Sequence, residues 1–208
     1  MSFTPGLLFV VSAPSGTGKT TLCKEIEKWV GNLQHSISYT TRPKRSSEQE
    51  GKDYHFIAPD LFQRMIQSGE FIEWALVHNH YYGTRHLDLQ ALLDGGIDII
   101  LDIDPQGALQ IRRRCDNGVF IYILPPSFED LERRLTLRRA DAPEEIGRRL
   151  KRAREEIHDY EAYDYLIVND DFEKARDHLR SIIMAERGKM HRVDRTWIEN
   201  TFLKEENL

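Results

Sequence analysis

Five consecutive apolar residues, Leu7 to Val11, run without a break into Ser12-Ala-Pro-Ser-Gly-Thr-Gly-Lys-Thr20, and a stretch of helical character from Lys19 to Trp29 follows. An unbroken apolar run reads as a strand covered on both faces, and a glycine-bearing loop between such a strand and a helix gathers backbone N–H groups at the helix's positive end. Gly16 and Gly18 let the backbone approach phosphate oxygens, Lys19 supplies a mobile cation for the β and γ phosphates, and the Thr20 hydroxyl can ligate Mg²⁺. A phosphate site is therefore expected over Ala13, Pro14, Ser15, Gly16, Thr17, Gly18, Lys19, Thr20 and Thr21. Ala13 stands where the general pattern has glycine; its methyl group is tolerable at negative φ, and Pro14 favours an extended conformation for it. A chance Gly-rich turn would explain neither Lys19 and Thr20 nor the preceding strand.

Three later segments resemble the first strand: Ile97 to Ile103, Val119 to Leu124 and Tyr165 to Val168. Each precedes a helix candidate, namely Gln106 to Arg114, Ser127 to Arg138 and Phe172 to Gly188. The alternation predicts an α/β fold with a parallel β-sheet flanked by helices. Between about Tyr39 and Leu93 the pattern changes to short, aromatic-rich strands such as KDYHFI and GEFIEWALV, with turns at Gly51, Gly69 and Asn79. The expected division is a core of residues 1–38, 94–137 and 150–208, a small mixed α/β insert over 39–93 and a lid over 138–149. In the lid, Asp141 can cap a helix, Pro143 suits its first turn, and Glu144 and Glu145 favour its positive end. Ile183, Met190 and Trp197 recur at steps of seven, with Val193 between, and predict one helical face that packs on the core; a dimer contact is the alternative.

Composition narrows the function. The 208 residues are 40% hydrophobic and 30% charged, with no apolar run of membrane-spanning length and no charged secretory start, so a cytoplasmic protein is expected. Cys23 and Cys115 form no CxxC pair, and the net charge of -5 argues against general nucleic-acid binding. His78 and His80 flank a turn-forming asparagine with no Cys or third ligand nearby, so partly exposed structural histidines are the expected reading.

A phosphate loop alone leaves an ATPase, a GTPase, a kinase and an inactive scaffold open. Arg42, Arg45 and Tyr54 on one side of the insert, with Tyr82 and Thr84 on the other, could hold a monophosphate; singly, each reads as a solvated basic loop or a strand aromatic. Eight arginines lie between Arg133 and Arg154, against one lysine. Glu145 with Arg149 and Arg152 with Glu156 have the spacing of helix-surface ion pairs, while Arg134 and Arg138 share a face toward the lid. Unpaired arginines fit a transferring phosphoryl group. Asp102 and Asp104 end a strand where open α/β sheets place ligands; one could hold Mg²⁺ through water and the other face the acceptor, and strand-end solvation is the competing reading.

The phosphate loop, TTRxxR, GKDYHF, FIEWA, YYGT, LDID, ILPPS and VNDD occur in that order, and with them the chain from about Leu7 to Glu186 resembles the guanylate kinase family. The resemblance implies a P-loop nucleoside monophosphate kinase that uses ATP with Mg²⁺, a GMP-binding insert and a closing lid. It assigns Ser38, Arg42, Arg45, Tyr54, Glu73, Tyr82, Gly83 and Thr84 to GMP, with Asp102 and Asp104 divided between GMP and the Mg²⁺ region. Glu73 would accept the guanine N1 and N2 protons, and Ser38 and Thr84 would donate to O6; no assigned contact reads the 2′-OH, so dGMP is expected as well. Lys19, Arg42, Arg134, Arg138 and Arg149 are the implied catalytic cations, and Asn169 is implied near the adenine. The family's usual TTRxPRxGE is altered here by Pro43, Lys44 and Ser47, and Arg139 replaces a common lid glycine. The rivals are an inactive guanylate-kinase-like scaffold, disfavoured by Lys19 and the lid arginines, and a kinase for another phosphorylated acceptor, disfavoured by Glu73.

Overall fold

The computed structural model describes residues 4–77, 79–115, 117–137 and 143–203. His78, Arg138, Arg139 and Asp141 lie outside the described residues. The first strand β1 (Leu8–Ser12) leads through the loop into α1 (Lys19–Trp29), followed by β2 (Leu33–His35), which the sequence reading does not separate from its surroundings. Residues 39 to 94 form β3 (Tyr39–Thr40), β4 (His55–Phe56), α2 (Pro59–Gln67), β5 (Phe71–Val77), β6 (His80–Arg85) and α3 (His86–Asp94). The chain continues through β7 (Asp98–Ile103), α4 (Pro105–Arg112), β8 (Val119–Leu124), α5 (Phe128–Leu137), α6 (Pro143–Ile157), β9 (Tyr165–Val168), α7 (Phe172–Arg187) and α8 (Arg195–Phe202).

Strands β2, β7, β1, β8 and β9 form one parallel sheet in that order. The apolar run of β1 is buried on both faces because alternate residues serve different layers. Phe9 and Val11 join Leu22 and Ile26 of α1 and Leu179 and Ile183 of α7, whereas Leu8 and Val10 join Leu89 of α3 and Ala108 and Ile111 of α4. Chain order reverses at β1, with β7 on one side and β8 on the other, so a crevice opens at the carboxyl ends of these strands. Asp104 caps α4 by accepting a bond from Gly107 N, and Pro105 occupies the first helical position.

A second sheet has the order β4-β3-β6-β5. Its own core is Phe62 of α2, stacked on Phe71 at 4.4 Å and on Tyr81 at 5.3 Å. The expected turns at Gly51, Gly69 and Asn79 take φ of 69, 69 and 64°. The stretch KDYHFI shortens to His55–Phe56, and α2 and α3 add helices not separated in the sequence reading. Ile72 and Leu89 pack into the parallel-sheet core, so the second sheet is seated against the first.

The seven-residue spacing in the tail does not make one helical face. Helix α7 stops at Arg187 before Gly188, the chain makes a 3-10 turn at Met190–Arg192, and α8 starts at Arg195. Ile183 is buried, while Met190 and Trp197 stand 68% and 55% exposed, so the expected packing on the core is corrected for those two. Among the described residues no helix is long and apolar enough to cross a membrane.

Candidate active site

A cavity of about 340 Å³ lies at the carboxyl ends of β1 and β7, with the loop of residues 13–21 on one wall. Glu73, Ser38, Tyr54 and Tyr82 face it from the second sheet, Asp102 and Asp104 from β7 and its end, and Arg149, Arg152 and Glu156 from α6. This is a volume suited to a small ligand with a few convergent polar groups.

The loop geometry follows from its glycines. Gly16 and Gly18 take φ of 100 and 89°, which side chains rarely tolerate, and Ala13 is outside the positive-φ residues, as the methyl group requires. Gly18 caps α1 without a side-chain bond, and no acidic residue sits in the first turn, leaving that end open to an anion. The loop is braced from behind. The Thr17 carbonyl accepts from Asn169 Nδ2 at 2.7 Å and from Arg134 Nη1 at 3.3 Å, and Arg134 Nη2 donates to the Asn169 carbonyl at 2.7 Å. Arg134 and Asn169, implied at the nucleotide itself, here hold the loop backbone.

Asp102 shares the face of Ile100, which sends its side chain toward α1. There it pairs with Lys19, whose Nζ also donates to the Ile103 carbonyl at 2.6 Å. Burial alone would raise the Asp102 carboxyl; the Lys19 ammonium, aided by the Thr20 hydroxyl, holds it below its ordinary value. Asp104 points elsewhere, capping α4 and lying 3.5 Å from Arg152 Nη2.

Helix α6 contributes two arginines. Arg149 Nη2 donates to Ser15 Oγ of the loop. The expected surface partner Glu145 pairs with Arg148 at 2.6 Å, one residue earlier than its sequence spacing predicts. Arg152 does pair with Glu156 at 2.7 Å, and the same guanidinium reaches Asp104, so a residue read as a helix-surface pair lines the cavity. Burial raises the Glu156 carboxyl against the opposing effect of Arg152.

The Glu73 carboxylate on the opposite wall owes its direction to a β-bulge. Pairing between β5 and β6 shifts register between Phe71 and Glu73, so Phe71 and Trp74 pack with Phe62 while Glu73, Ala75 and Val77 face the cavity. Glu73 is 4% exposed, and its Oε1 accepts from Thr84 Oγ1 at 2.6 Å. Burial pushes the Glu73 carboxyl up to about 7, against the Thr84 hydroxyl and with help from Asp104. Thr84 is thus committed to Glu73 and is not on the cavity surface. Gly83 pairs with Trp74, and a Cβ there would come within 3.0 Å of Phe62, Phe71 and the Glu73 carbonyl, so it serves the packing of the sheet.

The expected monophosphate clamp is partly assembled. Tyr54 and Tyr82 lie edge to face at 5.9 Å, and Arg42 Nε donates to the Tyr82 hydroxyl at 3.2 Å. The other edge of Arg42 is taken by Glu48, at 2.7 and 3.1 Å, and Glu48 also accepts from Arg45 N at 2.8 Å. Arg42 and the Arg45 amide hold the Glu48 carboxyl down to about 2. Arg45 itself is exposed, and neither arginine lines the cavity. Arg152 and Glu156 line the cavity although their spacing reads as a surface ion pair, and Glu48 is an unforeseen partner of Arg42, signalled only as a fork-matching carboxylate six residues on.

A sequence model of the guanylate kinase family matches residues 6–186. The chain is 52% identical over 188 residues to the guanylate kinase of Syntrophotalea carbinolica, covering 90% of each chain. It is 51% identical over 194 residues to that of Geobacter metallireducens, covering 93% of this chain and 96% of the relative. Its structure is similar to the solved guanylate kinase of Anaplasma phagocytophilum, with a TM-score of 0.79 and 37% identity over 99% of this chain and 100% of that one. By the family model, these relatives and the solved structure alike, the chain belongs to the guanylate kinase family.

Proposed function

We propose that this chain transfers the γ-phosphoryl group of ATP to the phosphate of GMP or dGMP, releasing ADP and GDP or dGDP. An oxygen of the acceptor phosphate attacks the γ phosphorus, and the bond to the β–γ bridging oxygen breaks. The observation that carries this reading is one cavity with a phosphate loop on one wall and the buried Glu73 on another. Glu73 accepts hydrogen bonds from guanine N1–H and N2–H, Ser38 on the same cavity donates to O6, and Tyr54 and Tyr82 receive the acceptor phosphate, with Arg42 supporting them from behind through its bond to the Tyr82 hydroxyl. Lys19, Arg149 and Arg152 supply the positive charge that offsets repulsion between the two substrates. Arg138 is assigned to this set, and the proposal includes the division into a core, a GMP-binding insert over 39–93 and a lid over 138–149 that the sequence suggests.

The Thr20 hydroxyl beside the Asp102 carboxylate is an oxygen-donor pair that fits Mg²⁺ shared with phosphates and water. The ion would supply charge neutralisation of the triphosphate. A cytoplasmic setting, where ATP and GMP are found, completes the proposal.

ADP release measured with GMP, dGMP, AMP, UMP and CMP tests the reading. Turnover with GMP and dGMP is expected; equal turnover with AMP would overturn the guanine assignment. A pH profile gives a second check. Guanine binding needs the Glu73 carboxylate, whose proton is held up to about 7, so KM for GMP should fall as pH rises from 6 to 8. The acceptor phosphate ionises near pH ~6 and its contribution is largely complete below that step. The same step should be missing from Glu73→Gln, and its persistence there would assign it to another group.

A further inference from the structure

Glycine is disfavoured inside helices relative to alanine, yet Gly107 occupies the first turn of α4 without the positive φ that would require it. Its surroundings explain the choice. A Cβ built on Gly107 would stand 2.7 Å from Glu73 Oε2 and 3.4 Å from Glu73 Cδ. Thr84 holds Oε1 of the same carboxylate from the opposite strand. Further along, Gln110 brackets the next residue, with Trp74 N donating to its Oε1 at 3.2 Å and its Nε2 donating to the Trp74 carbonyl at 2.8 Å. Just beyond the helix, Arg114 Nη1 donates to the carbonyls of Phe71 and Ile72, at 3.0 and 2.8 Å. The backbone is therefore gripped on both sides of Glu73, across the bulge that aims it.

We propose that α4 is the positioning element for guanine selectivity, with Gly107 leaving the space in which the Glu73 carboxylate lies and Gln110 holding the strand that carries it. The inference rests on Glu73 as the reader of guanine. It concerns positioning residues, since Gly107 and Gln110 are not on the cavity surface. A methyl group at position 107 meets the end of a side chain and not backbone, so the fold can accommodate it by turning the carboxylate. The substitution is thereby mild for stability and severe for recognition, and the two effects separate in experiment.

Gly107→Ala should keep or raise the melting temperature and leave KM for ATP unchanged. Displacing the carboxylate by about 1 Å should lower kcat/KM for GMP by about 10- to 100-fold, chiefly through KM. Glu73→Asp withdraws the carboxylate from position 107, and in that background Gly107→Ala should change kcat/KM by less than about 3-fold, the non-additivity expected of a direct contact. Gln110→Ala should also raise KM for GMP with kcat and KM for ATP retained, and it decides the matter should Gly107→Ala fold poorly. A folded Gly107→Ala with wild-type KM for GMP, or equal losses in the parent and Glu73→Asp backgrounds, overturns the inference. Failure of the underlying reading looks different: Glu73→Gln would then leave the preference for GMP over AMP intact.

Discussion

Replacing Lys19 by alanine is expected to lower kcat for ATP-dependent GMP phosphorylation by about 10³-fold or more, the loss typical of removing a cation from a transferring phosphoryl group. The substitution also strips the 7% exposed Asp102 of its counter-charge. Leaving one partner of a buried pair behind costs roughly 3–5 kcal/mol. Without the ammonium, burial drives the Asp102 carboxyl upward, so the variant should lose stability as pH rises through that raised value. Asp102→Asn in the Lys19→Ala background should restore stability without restoring turnover. Steady-state kinetics on samples shown to be folded by calorimetry separate the two effects. Wild-type kcat in a folded Lys19→Ala enzyme would take the loop lysine out of the chemistry.

Glu73→Gln should reduce kcat/KM for GMP by about 10²- to 10⁴-fold while leaving KM for ATP in place, because a buried site built for paired donors penalises a mismatched partner. An amide offers one acceptor oxygen and turns an NH₂ donor toward a guanine donor. Stability should move the other way. The Glu73 proton is retained up to about 7, which means that ionising this group in the fold is unfavourable. The folded protein loses that proton-linked stabilisation as pH rises through 7, and the neutral amide does not. The variant should therefore melt higher than the parent at pH 8 and close to it at pH 5. Unchanged GMP selectivity, or a lower melting temperature at pH 8, would contradict the role given to this carboxylate.

The fold was legible where a segment had one job. Strands β1, β8 and β9 are apolar runs, and their observed bounds fall within a residue of those expected. Helix α1 starts where the loop lysine stands because Gly18 turns the chain there. Strand β2 has three residues, too few for a periodic signal, and α2 was hidden among aromatics that also suit strands. The site was legible as a set of residues and less so as a set of contacts. The sequence places Thr84 and Glu73 together, but only the register shift after Phe71 shows that the hydroxyl serves the carboxylate. Arg148 and Arg149 are equivalent in composition, and helix phase sends one to Glu145 and the other to Ser15.

The brace behind the phosphate loop has an entropic consequence. Arg134 and Asn169 grip the Thr17 carbonyl from the side away from the cavity, and a Cβ at Gly18 would lie 2.9 Å from Asn169 Nδ2. The shape of the loop is thus preorganised by α5 and the end of β9, independently of any phosphate. An arriving triphosphate need not spend binding energy on ordering the loop, and that energy stays free for the contacts it makes with the rest of the cavity.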